Sequence, residues 1–280
     1  VPQQWFFLVI VGIVAGVFSG MFGIGGGVVI VPTLAIFLGL TTTSAIATSL
    51  AALLMPVGIL AVSAYYRAKL FDVRAAALIA FGLLITSALG ALGALALDNI
   101  NPALLRQVYG LFLLVMGWRF AEPRKFWRAY LLSKDPNATP RELPIAKPQV
   151  QGRWYALLII GLVAGLFSGL FGIGGGAVIV PALVGFLNYD QKRAVGTSLG
   201  ALLLPVGLPG VLVYYNEGVL NIGAAVMVAV GLLIGAIIGA KVAIGMSSGQ
   251  VKRLYGVFLL FVAFYFIFRD PLFAVFGIQS

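Results

Sequence analysis

GIVAGVFSGMFGIGGGVVIVP, residues 12–32, returns as GLVAGLFSGLFGIGGGAVIVP at residues 161–181. Seventeen of the 21 positions are identical, at an offset of 149. The same offset carries Thr48-Ser49-Leu50 and Pro56 onto Thr197-Ser198-Leu199 and Pro205, and Tyr65-Tyr66 onto Tyr214-Tyr215. The chain is therefore one unit written twice. The part kept most closely is a glycine cluster set inside apolar sequence.

Composition fixes the solvent of this unit. Of 280 residues, 61% are apolar and only 9% charged, with a mean hydropathy of +1.10. Soluble domains carry about 25% charge. So few polar groups cannot cover a water-facing surface, and apolar runs of this length read as membrane helices. The net charge of +10 does not indicate nucleic acid, because the basic residues gather in short loops, where they set orientation. There is no cysteine and no histidine, which excludes disulfides, thiol catalysis and thiolate or imidazole metal sites. No basic residue precedes Trp5, so the first stretch does not read as a secretory signal.

Each copy holds five apolar stretches: 5–22, 28–40, 44–66, 73–97 and 102–120, then 154–171, 177–187, 194–215, 220–245 and 251–268. The second of each set is too short to span alone, since a span needs about 20 residues. It either borrows the preceding glycines or forms half of a re-entrant hairpin. The chain thus divides into a first membrane repeat, 1–120, a polar linker, 121–153, and a second repeat, 154–280. The linker is broken by prolines and carries seven Lys or Arg against three acids, which places it in the cytoplasm.

Matching loops carry opposite charge. Arg67, Lys69 and Arg74 flank Asp72 in the first copy, where the second has only Glu217. Lys192 and Arg193 answer the uncharged Thr41–Thr43, and Lys241, Lys252 and Arg253 answer Asp98 to Asn101. With positive loops inside, the two copies have opposite orientations, which requires an odd number of crossings per copy. The alternative is a parallel duplication whose loop charges have drifted. The inverted reading puts both chain ends outside.

The candidate site is drawn from the matched breaks. Gly20, Gly23, Gly25, Gly26 and Gly27, with Gly169, Gly172, Gly174, Gly175 and Gly176, are poor helix formers, each about 1 kcal/mol worse than Ala. They should unwind the chain within the membrane, where bare backbone survives only against protein, water or ligand. A helix restarting after them presents N–H groups suited to an anion. Glycines also serve close helix packing, and that reading stands beside the first. Ser19 and Ser168, and the pairs Thr48-Ser49 and Thr197-Ser198, could donate to an oxyanion or bond back to their own helices. Pro56 and Pro205 should kink their helices and act as hinges.

Absent charges narrow the chemistry. All eight acids fall in loops or at segment ends, and no central Lys or Arg is available to hold an anion. Lys241 reads as snorkelling to the cytoplasmic face. The glycines are followed by no Gly-Lys-Ser/Thr and lie in no strand–helix unit, so neither a phosphate loop nor a dinucleotide fingerprint is present. No catalytic set, metal constellation or cofactor motif appears, and the chain does not read as an enzyme. Trp5, Trp118, Trp127 and Trp154 read as interface anchors, and the two Tyr-Tyr pairs as anchors or as gating residues.

The motif FSGxFGIGGGxxIVP in each copy, with ATSL or GTSL about 15 residues on, resembles the sulfite exporter TauE/SafE family, also called the 4-toluene sulfonate uptake permeases. Leu104-Leu105-Arg106-Gln107-Val108-Tyr109-Gly110 and Val251-Lys252-Arg253-Leu254-Tyr255-Gly256 carry the same resemblance at the end of each unit. The likeness covers nearly the whole chain except the linker. It implies a multi-pass carrier of sulfur oxyanions or organosulfonates, such as sulfite, sulfoacetate or sulfolactate. Pro209-Gly210, against Leu60-Ala61 in the first copy, breaks the symmetry and marks a further hinge.

The expectation is an all-α protein of the inner membrane with two inverted repeats and eight to ten membrane segments. Its partners are lipid and a small anion, with no nucleic acid. The site residues are Ser19, Gly23, Gly25–Gly27, Thr48, Ser49 and their counterparts Ser168, Gly172, Gly174–Gly176, Thr197 and Ser198. A passive anion channel and a carrier of non-sulfur organic anions are the alternatives. A scaffold would not need duplicated, unwound glycines.

Overall fold

The computed structural model describes residues 2–56, 58–121 and 154–275. Among these it forms twelve α-helices and no strand. The first copy gives α1 (Pro2–Phe22), α2 (Gly27–Phe37), α3 (Thr42–Ala52), α4 (Ile59–Arg67), α5 (Val73–Ile100) and α6 (Pro102–Ala121). The second repeats the series as α7 (Trp154–Phe171), α8 (Gly176–Phe186), α9 (Gln191–Ala201), α10 (Leu208–Asn216), α11 (Ile222–Gly245) and α12 (Ser248–Val275). The linker beyond Ala121, with Trp127, lies outside the described residues.

Among the described residues, four helices are long and apolar enough to cross a membrane: α1, α5, α7 and α11. Their outward faces show large apolar side chains such as Phe6, Phe81 and Leu89, a surface suited to lipid rather than water. The copies interlock through these four. α1 lies along α11 and α7 along α5, each pair parallel. Gly12, Gly16 and Gly20 meet α11 successively near residues 228–231, 232–236 and 236–240. Side chains at these glycines would strike the partner's backbone, so here glycine does serve close approach. α6 and α12 pair antiparallel: Gly110 lies at Ile267 and Gly117 at Leu260.

Two readings of the sequence need correction. The stretches 44–66 and 194–215 are not continuous helices. Each ends after 11 residues, at Ala52 and Ala201, and restarts as α4 or α10. Pro56 and Pro205 lie in these gaps rather than inside kinked helices. A helix through either proline would lose a hydrogen bond and clash with the preceding turn, whereas the gap satisfies its backbone locally, through Leu54 N–H to Ala51 and Leu203 N–H to Gly200. Pro209, the expected further hinge, lies at a helix start rather than inside a helix. It sits in the first turn of α10, where its missing N–H has no helical partner to lose.

The short second helices double back on the first. After the glycines, α2 returns along α1 until Phe37 meets Phe7, ring centroids 5.3 Å apart. At 11 residues, α2 and α8 cover only about half the hydrocarbon thickness. The turn to α3 is closed by Thr41, whose hydroxyl accepts from Ser44 N–H, and that to α9 by Asp190, which accepts from Lys192 N–H.

Candidate functional site

The two glycine loops unwind as their composition requires. Gly23, Gly25 and Gly26 have φ of 72°, 80° and 91°, and Gly172, Gly174 and Gly175 have 65°, 72° and 85°. Other residues adopt this left-handed region only at a cost. An interrupted helix leaves carbonyls without partners, and here six of them are met. Gly23 N–H donates to Ser19 O at 2.7 Å, and Gly172 N–H to Ser168 O at 2.8 Å. Tyr65 hydroxyl donates to Gly20 O at 2.9 Å, and Tyr214 hydroxyl to Gly169 O at 2.7 Å. Ser198 hydroxyl reaches across to Gly23 O at 2.7 Å, and Ser49 to Gly172 O at 2.9 Å.

Tyr65 and Tyr214 are therefore not interface anchors. Both are fully buried and cap α1 and α7. The neighbouring Tyr66 and Tyr215 are exposed, as anchors should be. Behind the loops, Tyr255 lies against Phe22 and Tyr109 against Phe171, with centroids 5.2 and 5.0 Å apart.

The donor side of the loops is left open. The N–H groups of Gly25, Gly26 and Gly27, and of Gly174, Gly175 and Gly176, find no hydrogen-bond acceptor among the described residues. These groups begin α2 and α8, so the helix dipoles add to their positive potential. Gly25 and Gly174 meet where the copies join: a Cβ at Gly25 would lie 3.6 Å from the Cα of Gly174.

A cavity of about 20 Å³ sits at this junction. Its walls come in matched pairs: Ser19 and Ser168, Gly25 and Gly174, Leu50 and Leu199, Leu53 and Leu202, Gly58 and Gly207, with Val206 added. The space holds about one water molecule. Ser168 is buried, and its hydroxyl has no hydrogen-bond partner. No charged side chain lines the cavity.

Of the residues expected at the site, Ser19, Gly25, Ser168 and Gly174 line this space. The others stand behind it. Thr48 hydroxyl accepts from Asn221 N–H at 3.3 Å and Thr197 from Asp72 N–H at 3.2 Å, while Ser49 and Ser198 hold the opposite loops. Gly23, Gly27, Gly172 and Gly176 let the loops touch: a Cβ at Gly27 would enter the Gly172 carbonyl, and one at Gly176 that of Gly23. Gly26 and Gly175 back onto Leu232 and Leu83, 2.8 and 2.7 Å from a built Cβ. Gly210 packs against Leu50 and Ser87. Sequence reasoning missed Leu50, Leu53, Leu199 and Leu202, because leucines in apolar helices give no signal. It also passed over Pro32 and Pro181, which lie inside α2 and α8, each freeing a carbonyl one turn back. Among the described residues, no group of His, Cys, Asp or Glu could hold a metal. Asp72, Asp98, Asp190 and Glu217 all lie at helix ends or caps.

The chain matches the family model "Sulfite exporter TauE/SafE" over residues 8–266, and it belongs to that family. It is 28% identical over 247 residues to the probable membrane transporter protein MJ0441 of Methanocaldococcus jannaschii, covering 84% of this chain and 85% of that one. It is 26% identical over 273 residues to the probable membrane transporter protein YunE of Bacillus subtilis, covering 94% and 97%. A probable membrane transporter protein of Haemophilus influenzae is 26% identical over 278 residues, covering 91% and 94%. No solved structure matches the chain.

Proposed function

We propose that this TauE/SafE-family membrane transporter is an inner-membrane carrier, not an enzyme, that moves a small sulfur oxyanion or organosulfonate through a site on the axis relating its two copies. The observation that carries this reading is the small cavity between the copies, walled by matched residues of both. Its polar lining is the hydroxyls of Ser19 and Ser168, the latter buried without a partner, and the backbone of Gly25 and Gly174 just before the two helix starts. These are donors without net charge. They favour an anion whose charge is spread over several oxygens, and they let it leave. Because desolvation rises steeply with charge, a singly charged species such as hydrogen sulfite or a sulfonate is preferred over a dianion.

The volume bears on the alternatives. A space for one water cannot admit a sulfonate until the loops part, which supports a carrier over a standing pore. The family's name, sulfite exporter, supports sulfur substrates over carboxylates. Opposite orientation of the copies is supported by the antiparallel pairing of the equivalent helices α6 and α12 and by the swapped loop charges. Positive-inside bias then puts Arg67, Lys69, Lys192 and Arg193 in the cytoplasm.

Counterflow in proteoliposomes tests the function. Unlabelled sulfite or sulfoacetate inside should drive transient accumulation of the labelled anion, with saturable uptake. Linear, unsaturable flux would mean a channel, and counterflow with carboxylates alone would remove the sulfur assignment. Single cysteines at the equivalent positions Ala68 and Glu217, both exposed, should label from opposite faces. Labelling from one face would end the inverted reading.

A further inference from the structure

An equivalent hydrogen bond joins the two copies at each face of the molecule, and its surroundings differ between the faces. At one face Asp72, which caps α5, donates its N–H to Thr197 on α9 at 3.2 Å. At the other, Asn221, which caps α11, donates its N–H to Thr48 on α3 at 3.3 Å. Up to this point the faces are equivalent. Asp72 then adds what Asn221 cannot. Its Oδ2 meets Arg193 Nη2 at 3.1 Å and accepts from Tyr189 hydroxyl at 2.9 Å. Arg193 lies over the Tyr189 ring, 5.4 Å from its centroid. The residues equivalent to Tyr189 and Arg193 are Leu40 and Ser44, which can build none of this. One position earlier, Lys192 Nζ donates to Ile244 O at the end of α11, at 2.8 Å. Its equivalent is Thr43, whose hydroxyl is buried without a partner.

We infer that Asp72, Arg193 and Tyr189 form a one-sided latch that closes the central site from the basic face. The latch joins the start of α5, in one copy, to the start of α9, in the other. α9 ends beside the cavity, at Leu199 and, in its cap, Leu202. Parting the copies at this face means separating the Asp72–Arg193 ion pair. At the other face the equivalent contact, Asn221 N–H to Thr48, joins neutral groups, and no ion pair stands at the equivalent positions Leu40, Ser44 and Asn221. This rests on the reading that the site opens by movement of one copy against the other. Under that reading the copies do not alternate evenly: at rest the site is held shut toward the basic face, and access from the opposite face is the easier motion.

The chain has no cysteine, so a single reporter can be placed without removing others. Ser19→Cys puts a thiol in the cavity wall. Its modification by a membrane-impermeant maleimide is followed in right-side-out and inverted vesicles, alone and with Asp72→Asn, Arg193→Gln or both. Asn keeps the helix cap, as Asn221 does in the other copy, so Asp72→Asn removes the ion pair and leaves the fold. Each substitution should raise modification from the basic face about fivefold, the shift given by about 1 kcal/mol for a half-exposed pair, and leave the other face unchanged. The double variant should show no more than either alone, since the residues act as one unit. The latch is overturned if the rate from the basic face stays constant, if both faces rise together, or if the two effects multiply. A chain that labels as expected yet moves no sulfur anion would retire the substrate reading and leave the latch standing.

Discussion

Ser49 holds the Gly172 carbonyl and Ser198 the Gly23 carbonyl, Tyr65 caps Gly20 and Tyr214 caps Gly169, all within 2.7–2.9 Å. At the faces the copies part company, with Asp72 set against Asn221, Arg193 against Ser44 and Lys192 against Thr43. The difference separates two kinds of constraint. Around the axis each copy must satisfy the other's broken backbone, so a change in one strands a polar group in its partner. At the faces the equivalent positions meet no broken backbone of the other copy, and under the proposed inverted topology they face different compartments, so nothing requires the two to agree.

The comparison is broken most severely at the loop crossing. Gly27→Ala and Gly176→Ala each drive a methyl into a carbonyl of the facing loop. Because neither neighbour is a flexible side-chain end, each should cost about 4 kcal/mol or more, the range of severe core lesions. Both variants should fail to give monodisperse protein in detergent. If one copy tolerates the methyl and the other does not, the axis is less symmetric than these contacts imply. The same reasoning bars valine at Gly26 or Gly175 as a clean probe of ligand binding, because positive φ and the nearby leucine methyls would strain the fold first.

Next come the caps. Tyr65→Phe and Tyr214→Phe keep the buried ring and remove the donor to Gly20 or Gly169. An unmet buried carbonyl costs about 1–3 kcal/mol. Thermal unfolding in detergent should drop by similar amounts in the two variants. Ser49→Ala and Ser198→Ala should behave as a second matched pair, with losses of about 1–2 kcal/mol. A loss confined to one member of either pair would show that the equivalent bonds do unequal service.

How much of this was legible in the sequence depends on whether a residue's partner lay near it in the chain. The repeat, the lipid environment and the unwinding at Gly23–Gly27 could be read directly, because each is a local property of composition or backbone freedom. The break after Ala52 was only half legible. Pro56 announced a disturbance, but an apolar run looks the same whether the helix bends or stops. Tyr65 was read as an interface anchor because an aromatic at the end of an apolar run fits that role equally well. Its acceptor, Gly20, is 45 residues away. Ser49 and Ser198 offered hydroxyls without saying where they pointed, and their acceptors lie 123 and 175 residues away, in the other copy. Ser19 and Ser168 carried the same signal as those serines, and only the cavity distinguishes them.

The smallest expected effect on stability is the most informative about function. Ser168 hydroxyl is buried and makes no hydrogen bond. Replacing it with Ala removes an unsatisfied polar group, so stability should stay level or rise by up to about 1 kcal/mol. In this respect Ser168→Ala should be the reverse of Ser49→Ala, although both delete one buried serine hydroxyl. The ranking should invert for the ligand. A hydroxyl that gives nothing to the resting fold has its donor available for an oxyanion, and losing a hydrogen bond to a charged group costs about 1.5–3 kcal/mol. Half-saturation for the transported anion should therefore rise by at least tenfold in Ser168→Ala, while the melting temperature does not fall. A melting temperature that falls with unchanged half-saturation would make Ser168 a packing residue and move the anion site away from the axis.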